Sequence, residues 1–403
     1  MLNRRTLFGA TATAASFVAA AMRGRKANAK ILSHDFEPRG TVGRLERLPK
    51  LDLQSSEDFL TTFRVLVNGD MTKMARARAD ELMIAKGLDP NAEATVEEAL
   101  EVLGDDPIIG SYFQSWNSAQ QQMWKNIRDE IYANADAYLA EMEAADKSGP
   151  GTLELNPGIV PDWAKYEIHQ QPGGYVGDPF AGHIYHYGTN DFYMGANDQD
   201  SIHVGLAGLI PIPRDKQVKR IHETGTGCGQ MAVALKERFP DAEVWGTDIG
   251  APMVRYAHMR AVDLGVDVNF AQRLAEDSKF PDNHFDIITN YLQYHECPAE
   301  SSRAHIREAF RTLRPGGVFY PIDFFTGLLV PPRTAFDKMY FWWHHRWNVE
   351  VWYEEYASLD FAAEMEKVGF EVAKRRSGPR ISKQRADNLS FERTPYVIGR
   401  KPV

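Results

Sequence analysis

The stretch Glu223-Thr224-Gly225-Thr226-Gly227-Cys228-Gly229 decides the reading of this chain. It joins an apolar, β-rich run from Val218 to Glu223 to a helical pattern from Gln230 to Arg238. Glycines at alternate positions let the backbone turn sharply and approach a ligand closely. Strand-turn-helix geometry of this kind serves dinucleotides, flavins and nucleosides alike. Dinucleotide sites space their glycines G-x-G-x-x-G. Here the spacing is G-x-G-x-G behind an acidic residue, so the pyrophosphate pattern is missing.

Working outward, apolar runs alternate with helical segments from Val218 onward, which predicts a parallel sheet covered by helices and an α/β fold. The expected strands are Val218 to Glu223, Glu243 to Asp248, Val266 to Ala271, Phe285 to Asn290, Gly317 to Asp323, Gly369 to Arg375 and Tyr396 to Lys401. Asp248 ends the second of these, in Val244-Trp245-Gly246-Thr247-Asp248-Ile249. Ala275-Glu276-Asp277 precedes Phe280-Pro281-Asp282-Asn283-His284-Phe285-Asp286, and Arg314-Pro315-Gly316-Gly317 and Val368-Gly369-Phe370 mark later turns.

In this order the segments resemble the class I, Rossmann-like S-adenosylmethionine-dependent methyltransferases, over about residues 210 to 403. The resemblance implies a mostly parallel seven-stranded sheet and S-adenosylmethionine as methyl donor. It implies that Glu223, Gly225, Gly227 and Gly229 cradle the methionine part of the cofactor. Asp248 would accept hydrogen bonds from both ribose hydroxyls, and Ile249 would pack on the adenine ring. Ala275, Glu276 and Asn290 complete the implied cofactor set. Where the family places an adenine-contacting Asp this chain has Leu274, so Glu276, backbone or water must meet the adenine amino group.

Methyl transfer from a sulfonium is an in-line displacement, for which the protein mainly holds donor and acceptor together and excludes water. A base is needed only when the acceptor is protonated at working pH. Ligands of open α/β sheets sit outside the carboxyl ends of the strands. Tyr291, Tyr294, His295 and Glu296 should emerge there, and Tyr294, His295 and Glu296 are the catalytic candidates. The dense aromatic stretch from Val330 to Tyr356 offers Trp343, His344 and Trp347 for an acceptor pocket, joined by Tyr187 from upstream. Such a patch serves equally as core against a helical domain or as an oligomer interface. His183 and His186 have no third ligand nearby, so no metal is expected. Cys228 and Cys297, the two cysteines, are either a redox-sensitive pair at one sheet edge or ordinary buried thiols.

Upstream, residues 30–150 read as a helical domain, with Phe59, Phe63, Leu66 and Val67 at helical spacing. Thr95 and Glu98 form a capping box, and Trp116, Met123, Trp124, Ile127, Ile131 and Leu139 form a buried stripe. Residues 151–213 read as an aromatic, Gly-rich connector or lid, with Tyr185, His186 or Tyr187 reaching a pocket, and 214–403 as the catalytic domain. Residues 1–29 resemble a twin-arginine export signal, with Arg4-Arg5, an apolar stretch and Ala27-Asn28-Ala29 before Lys30. Engagement of the export machinery would make the protein periplasmic, without stable membrane insertion once the signal is removed; the alternative is a cytoplasmic protein. A formal net charge of −9 argues against a phosphate-backbone partner, so no nucleic acid is expected. The expected function is methyl transfer to a small-molecule acceptor. The alternative is a protein that binds S-adenosylmethionine or a nucleoside on the same fold and has another activity or none.

Overall fold

The computed structural model describes residues 41–42, 45–46, 51–197, 199–324, 333–373 and 397–403. The export-type segment 1–29, the start of the aromatic stretch at Val330 and the outer ends of the last two expected strands lie outside the described residues. Strands β1 (Thr41–Val42) and β2 (Leu45–Glu46) pair antiparallel ahead of helix α1 (Leu51–Leu66). A π-helical turn, Val67–Met71, links α1 to α2 (Thr72–Ala85). Helix α3 (Val96–Leu103) begins at the expected capping box: the Glu98 N–H donates to Thr95 Oγ1 at 3.1 Å, and the Thr95 N–H to Glu98 Oε2 at 2.8 Å. Helix α4 (Pro107–Ala133) opens with Asp106 as cap and Pro107 in its first turn, where a missing N–H costs nothing. Helix α5 (Ala135–Ala145) completes this layer.

Trp116, Met123, Trp124, Ile127 and Ile131 are buried as the periodicity predicts. The stripe of α1 is rotated from expectation. Leu60 and Val67 are buried, whereas Phe59 and Leu66 are exposed, so the buried face of α1 is the one that carries Leu60, Arg64 and Val67 at i, i+4 and i+7.

The connector supplies strand β3 (Leu153–Glu154) and helices α6 (Ala181–Phe192) and α7 (Ser201–Leu209). The sheet then alternates with helices in the order β4 (Arg220–Thr224), α8 (Gln230–Arg238), β5 (Glu243–Asp248), α9 (Ala251–Leu264), β6 (Asn269–Gln272) and β7 (Phe285–Tyr291). After them come α10 (Ala299–Thr312), β8 (Leu313–Ile322), α11 (Ala335–Trp347), α12 (Tyr353–Ala357), α13 (Phe361–Val368), β9 (Glu371–Val372) and β10 (Gly399–Arg400).

The strand order is β3-β6-β5-β4-β7-β8-β10-β9, parallel except at β10, which runs antiparallel to both its neighbours. Seven of these eight strands are those expected. The eighth, β3, comes from the connector and caps the edge beside β6. Two residues between Pro150 and a Pro157-Gly158 turn carry too little pattern to be seen as a strand. Ile221, Val244, Phe270, Ile287 and Val318 fill one side of the sheet, and Phe285, Ile288, Phe319 and Phe370 the other. Full burial of each such side chain is worth roughly 1.5–3 kcal/mol. Connections run to opposite sides of β4, toward β5 and toward β7, which makes the carboxyl end of β4 the switch point where a ligand crevice opens.

Candidate functional site

A cleft lies at that switch point. Its sheet-side wall is Gly225 and Gly227 after β4, Asp248, Ile249 and Met253 after β5, Arg273, Ala275 and Glu276 after β6, and the 291–294 segment after β7. Its opposite wall is Trp163, Ile168, Tyr175 and Tyr185 from the connector.

The glycine turn is held by its own geometry. Gly229, with φ +77°, precedes α8, and a Cβ there would come 2.9 Å from both Ala257 Cβ and Phe270 Cζ, so only glycine lets α8 dock. The side of Gly227 that would carry a Cβ meets nothing nearer than Tyr185 at 3.6 Å and Met253 at 3.8 Å, which leaves its backbone open to the cleft. Asp248 clamps this turn: Oδ2 accepts from the Gly227 N–H at 3.0 Å, and Oδ1 from the Gly250 N–H at 2.9 Å. Burial lifts the Asp248 carboxyl to about 6, against the two backbone donors that favour its charge.

Glu223 is placed differently from the expectation. It is buried beneath the turn, does not line the cleft, and accepts from the Thr226 hydroxyl at 2.6 Å. Burial pushes its carboxyl to about 8, so near neutrality it is largely protonated. It braces the loop from below. Asn290 is likewise off the cleft wall, fully buried, with its Nδ2 donating to the Ile322 carbonyl at 3.3 Å. Gly225, Gly227, Asp248, Ile249, Ala275 and Glu276 all line the cleft as expected. Leu274 does not; Glu276 stands beside Ala275 with its pKa raised by partial burial.

Of the catalytic candidates, Glu296 reaches the cleft, accepting from the Tyr175 hydroxyl at 3.0 Å and lying 2.9 Å from His169 Nε2. Tyr294 also lines it, with its hydroxyl 2.8 Å from His305 Nδ1. His295 turns away: it is buried, its Nδ1 is 2.8 Å from Asp323 Oδ1, and it is not part of the cleft wall. Burial disfavours charge on both His169 and His295. Glu350 and Glu296 around His169, and Asp323 beside His295, outweigh that and raise the two imidazoles to about 10 and about 9.

The acceptor candidates are corrected. Trp343 is core of the helical layer, stacked on Phe113 at 4.9 Å and edge-on to Trp116 at 5.5 Å. His344 packs against Tyr340 and Trp116, and burial lowers its pKa to about 4. Trp347 is 48% exposed at the end of α11, away from the cleft. Tyr187 packs with Trp124, Phe180 and Ile184 between α4 and α9. Only Tyr185 of the trio Tyr185, His186 and Tyr187 reaches the cleft; His186 Nδ1 lies 2.7 Å from the Tyr256 hydroxyl. Both cysteines are buried free thiols, and burial raises Cys228 to about 12.

Tyr175, Trp163 and Ile168 went unassigned in the sequence, as did His169, Asp323 and Glu350 behind the cleft. Gly173-Gly174-Tyr175 is a visible turn, but nothing local tells that its tyrosine meets Glu296, 121 residues away. Asp323, at the end of the fifth sheet strand to appear downstream of Val218, occupies a position that could have been singled out on topology alone.

Residues 221–317 match the family model described as "Methyltransferase domain". Among curated relatives, the demethylmenaquinone methyltransferase of Thermus thermophilus is 35% identical over 131 residues, 32% of this chain and 57% of that protein. The ubiquinone/menaquinone biosynthesis C-methyltransferase UbiE of Cupriavidus pinatubonensis is 31% identical over 119 residues, 29% of this chain and 48% of that protein. The chain thus spans about half the length of the curated relatives it matches. Among solved structures, phosphoethanolamine N-methyltransferase 2 of Haemonchus contortus, in complex with S-adenosyl-L-methionine, is 16% identical, covers 49% of this chain and 51% of that one, and has a TM-score of 0.35.

Proposed function

We propose that this protein is an S-adenosylmethionine-dependent methyltransferase acting on a small-molecule acceptor. The observation that carries it is Asp248, a carboxylate at the end of the strand after the glycine turn, tied to that turn and facing the cleft. A carboxylate matches a vicinal diol, the open Gly227 backbone suits an amino-acid moiety, and Ile249, Ala275 and Met253 give an apolar seat for a base. S-adenosylmethionine supplies an electrophilic methyl group when bound. The chain's part is to position the acceptor in the far half of the cleft between Tyr175, Tyr185 and Trp163, and to exclude water there. Glu296 is the candidate base for a protonated acceptor, with Tyr175 orienting the shared carboxylate oxygen.

The aromatic wall favours a flat acceptor, and the quinone-type acceptors in the names of the matching relatives make quinols the first class to test. Incubation with S-adenosylmethionine and a panel of quinols, phenols and thiols should yield S-adenosylhomocysteine with at least one class. Glu296→Gln should cut kcat about 100-fold while leaving S-adenosylhomocysteine affinity within about threefold. Binding without turnover on any class would favour the nucleoside-binding alternative. The segment before Lys30 reads as a twin-arginine signal, which would place the mature chain in the periplasm; fractionation of the Arg4→Lys, Arg5→Lys precursor tests that by retention in the cytoplasm.

A further inference from the structure

Behind Glu296, on the side away from Gly225, three separate segments converge. His169 sits in the turn Ile168–Gln170 with φ 57°, a left-handed conformation that costs a non-glycine residue energy and is held by the surrounding structure. His295 follows β7, and Glu350 follows α11. One nitrogen or oxygen from each lies within 4.8 Å of the other two, the one such trio of ligand-type side chains among the described residues. His169 Nδ1 is 3.1 Å from Glu350 Oε1, and Glu296 Oε1 is 2.9 Å from His169 Nε2 and 3.8 Å from His295 Nε2.

We propose that His169, His295 and Glu350 form a binding site for one divalent transition metal of the zinc or iron(II) class. Three features of the cluster point to it. Two imidazoles and a carboxylate are a donor set typical of these metals, while Mg²⁺ and Ca²⁺ prefer oxygen alone. Asp323 holds His295 Nδ1 at 2.8 Å and so directs Nε2 inward, the carboxylate-histidine support that metal-bound imidazoles have. Among the described residues, Glu350 Oε2 is buried with no hydrogen-bond partner, an orphaned acceptor on the carboxylate whose other oxygen meets His169. The neighbouring groups are aromatic or amide: Phe324 and Tyr353 face His295, Phe192 faces His169, and Asn348 Nδ2 reaches Glu350 Oε1 at 3.1 Å. The nearby Arg64 guanidinium is turned to Gln120 at 2.5 Å, and among the described residues no arginine or lysine pairs with Glu296, Glu350 or Asp323. Metal ligands at about 2.0–2.2 Å stand roughly 3–4 Å from one another, so small side-chain rotations close the site.

The test is equilibrium dialysis of chelator-treated protein against Zn²⁺ and, without oxygen, Fe²⁺, with the metal counted by mass spectrometry. The expected result is one equivalent per chain. His169→Ala and the isosteric Glu350→Gln should each weaken binding about 100-fold. S-adenosylhomocysteine titration of the same variants, expected within about threefold of wild type, shows that they are folded and keeps failure of the metal site distinct from failure of the cofactor reading. Less than a tenth of an equivalent in folded protein, or an equivalent that both variants retain, overturns the proposal and leaves the cluster as a buried imidazolium-carboxylate network.

Discussion

On the sheet side of the cleft, Gly225, Gly227, Asp248, Ile249 and Ala275 each lie at the carboxyl end of a parallel strand or in the turn that follows it. On the opposite side, Trp163, Ile168 and Tyr175 come from short turns of the connector and Tyr185 from α6, and Tyr175 meets Glu296 only through tertiary contact. The first wall is built from backbone and short side chains placed by sheet topology; the second from long side chains placed by packing. Sheet topology therefore fixes the first wall, and packing of the connector fixes the second.

The largest effect that sharpens this contrast lies outside both walls. Trp343→Ala should destabilise the protein by about 3–5 kcal/mol, read by denaturant unfolding, because it empties the contact with Phe113 and Trp116. Trp347→Ala should fall within about 0.5 kcal/mol of wild type. Equal effects would mean that α11 is not the core element described.

Next is pH dependence on the sheet side. A diol-binding Asp248 must be ionised, and its unliganded carboxyl titrates at about 6. The ligand-competent form is therefore complete above that value and is lost as pH falls through it. S-adenosylhomocysteine affinity should be flat above pH 7 and weaken about tenfold per pH unit below 6, by calorimetry. A profile flat down to pH 4.5 would break the assignment of Asp248.

The smallest expected effect is Glu223→Gln. Because Glu223 is held protonated under the turn and accepts from Thr226, the amide keeps its shape and acceptor, and affinity at pH 7 should change by less than about threefold. A loss above about thirtyfold would mean that Glu223 acts as a charged ligand contact.

How legible the site was follows the same division. Gly225 to Gly229 could be read directly, since a positive φ and a close helix approach leave few choices of residue, and Asp248 followed from its place at a strand end. Five of the seven expected strands coincide closely with β4 to β8, because continuous apolar runs buried on both faces leave a strong local trace. Trp343, His344 and Trp347 misled because aromatic density carries no direction. Helical spacing puts Phe336, Met339 and Trp343 on one buried stripe toward α3 and α4, and only the packed helices reveal what that stripe covers. Tyr175, His169 and Glu350 left no trace, as each gains its meaning from partners more than a hundred residues away.

The central claim is that the glycine turn and Asp248 form a cofactor seat, and calorimetric titration of the folded chain and of Asp248→Ala with S-adenosylhomocysteine tests it most directly. The wild type should show one site of micromolar affinity and the variant a loss of at least about 100-fold, with thermal unfolding of the two similar. No binding by folded wild type, or undiminished binding by Asp248→Ala, would contradict it.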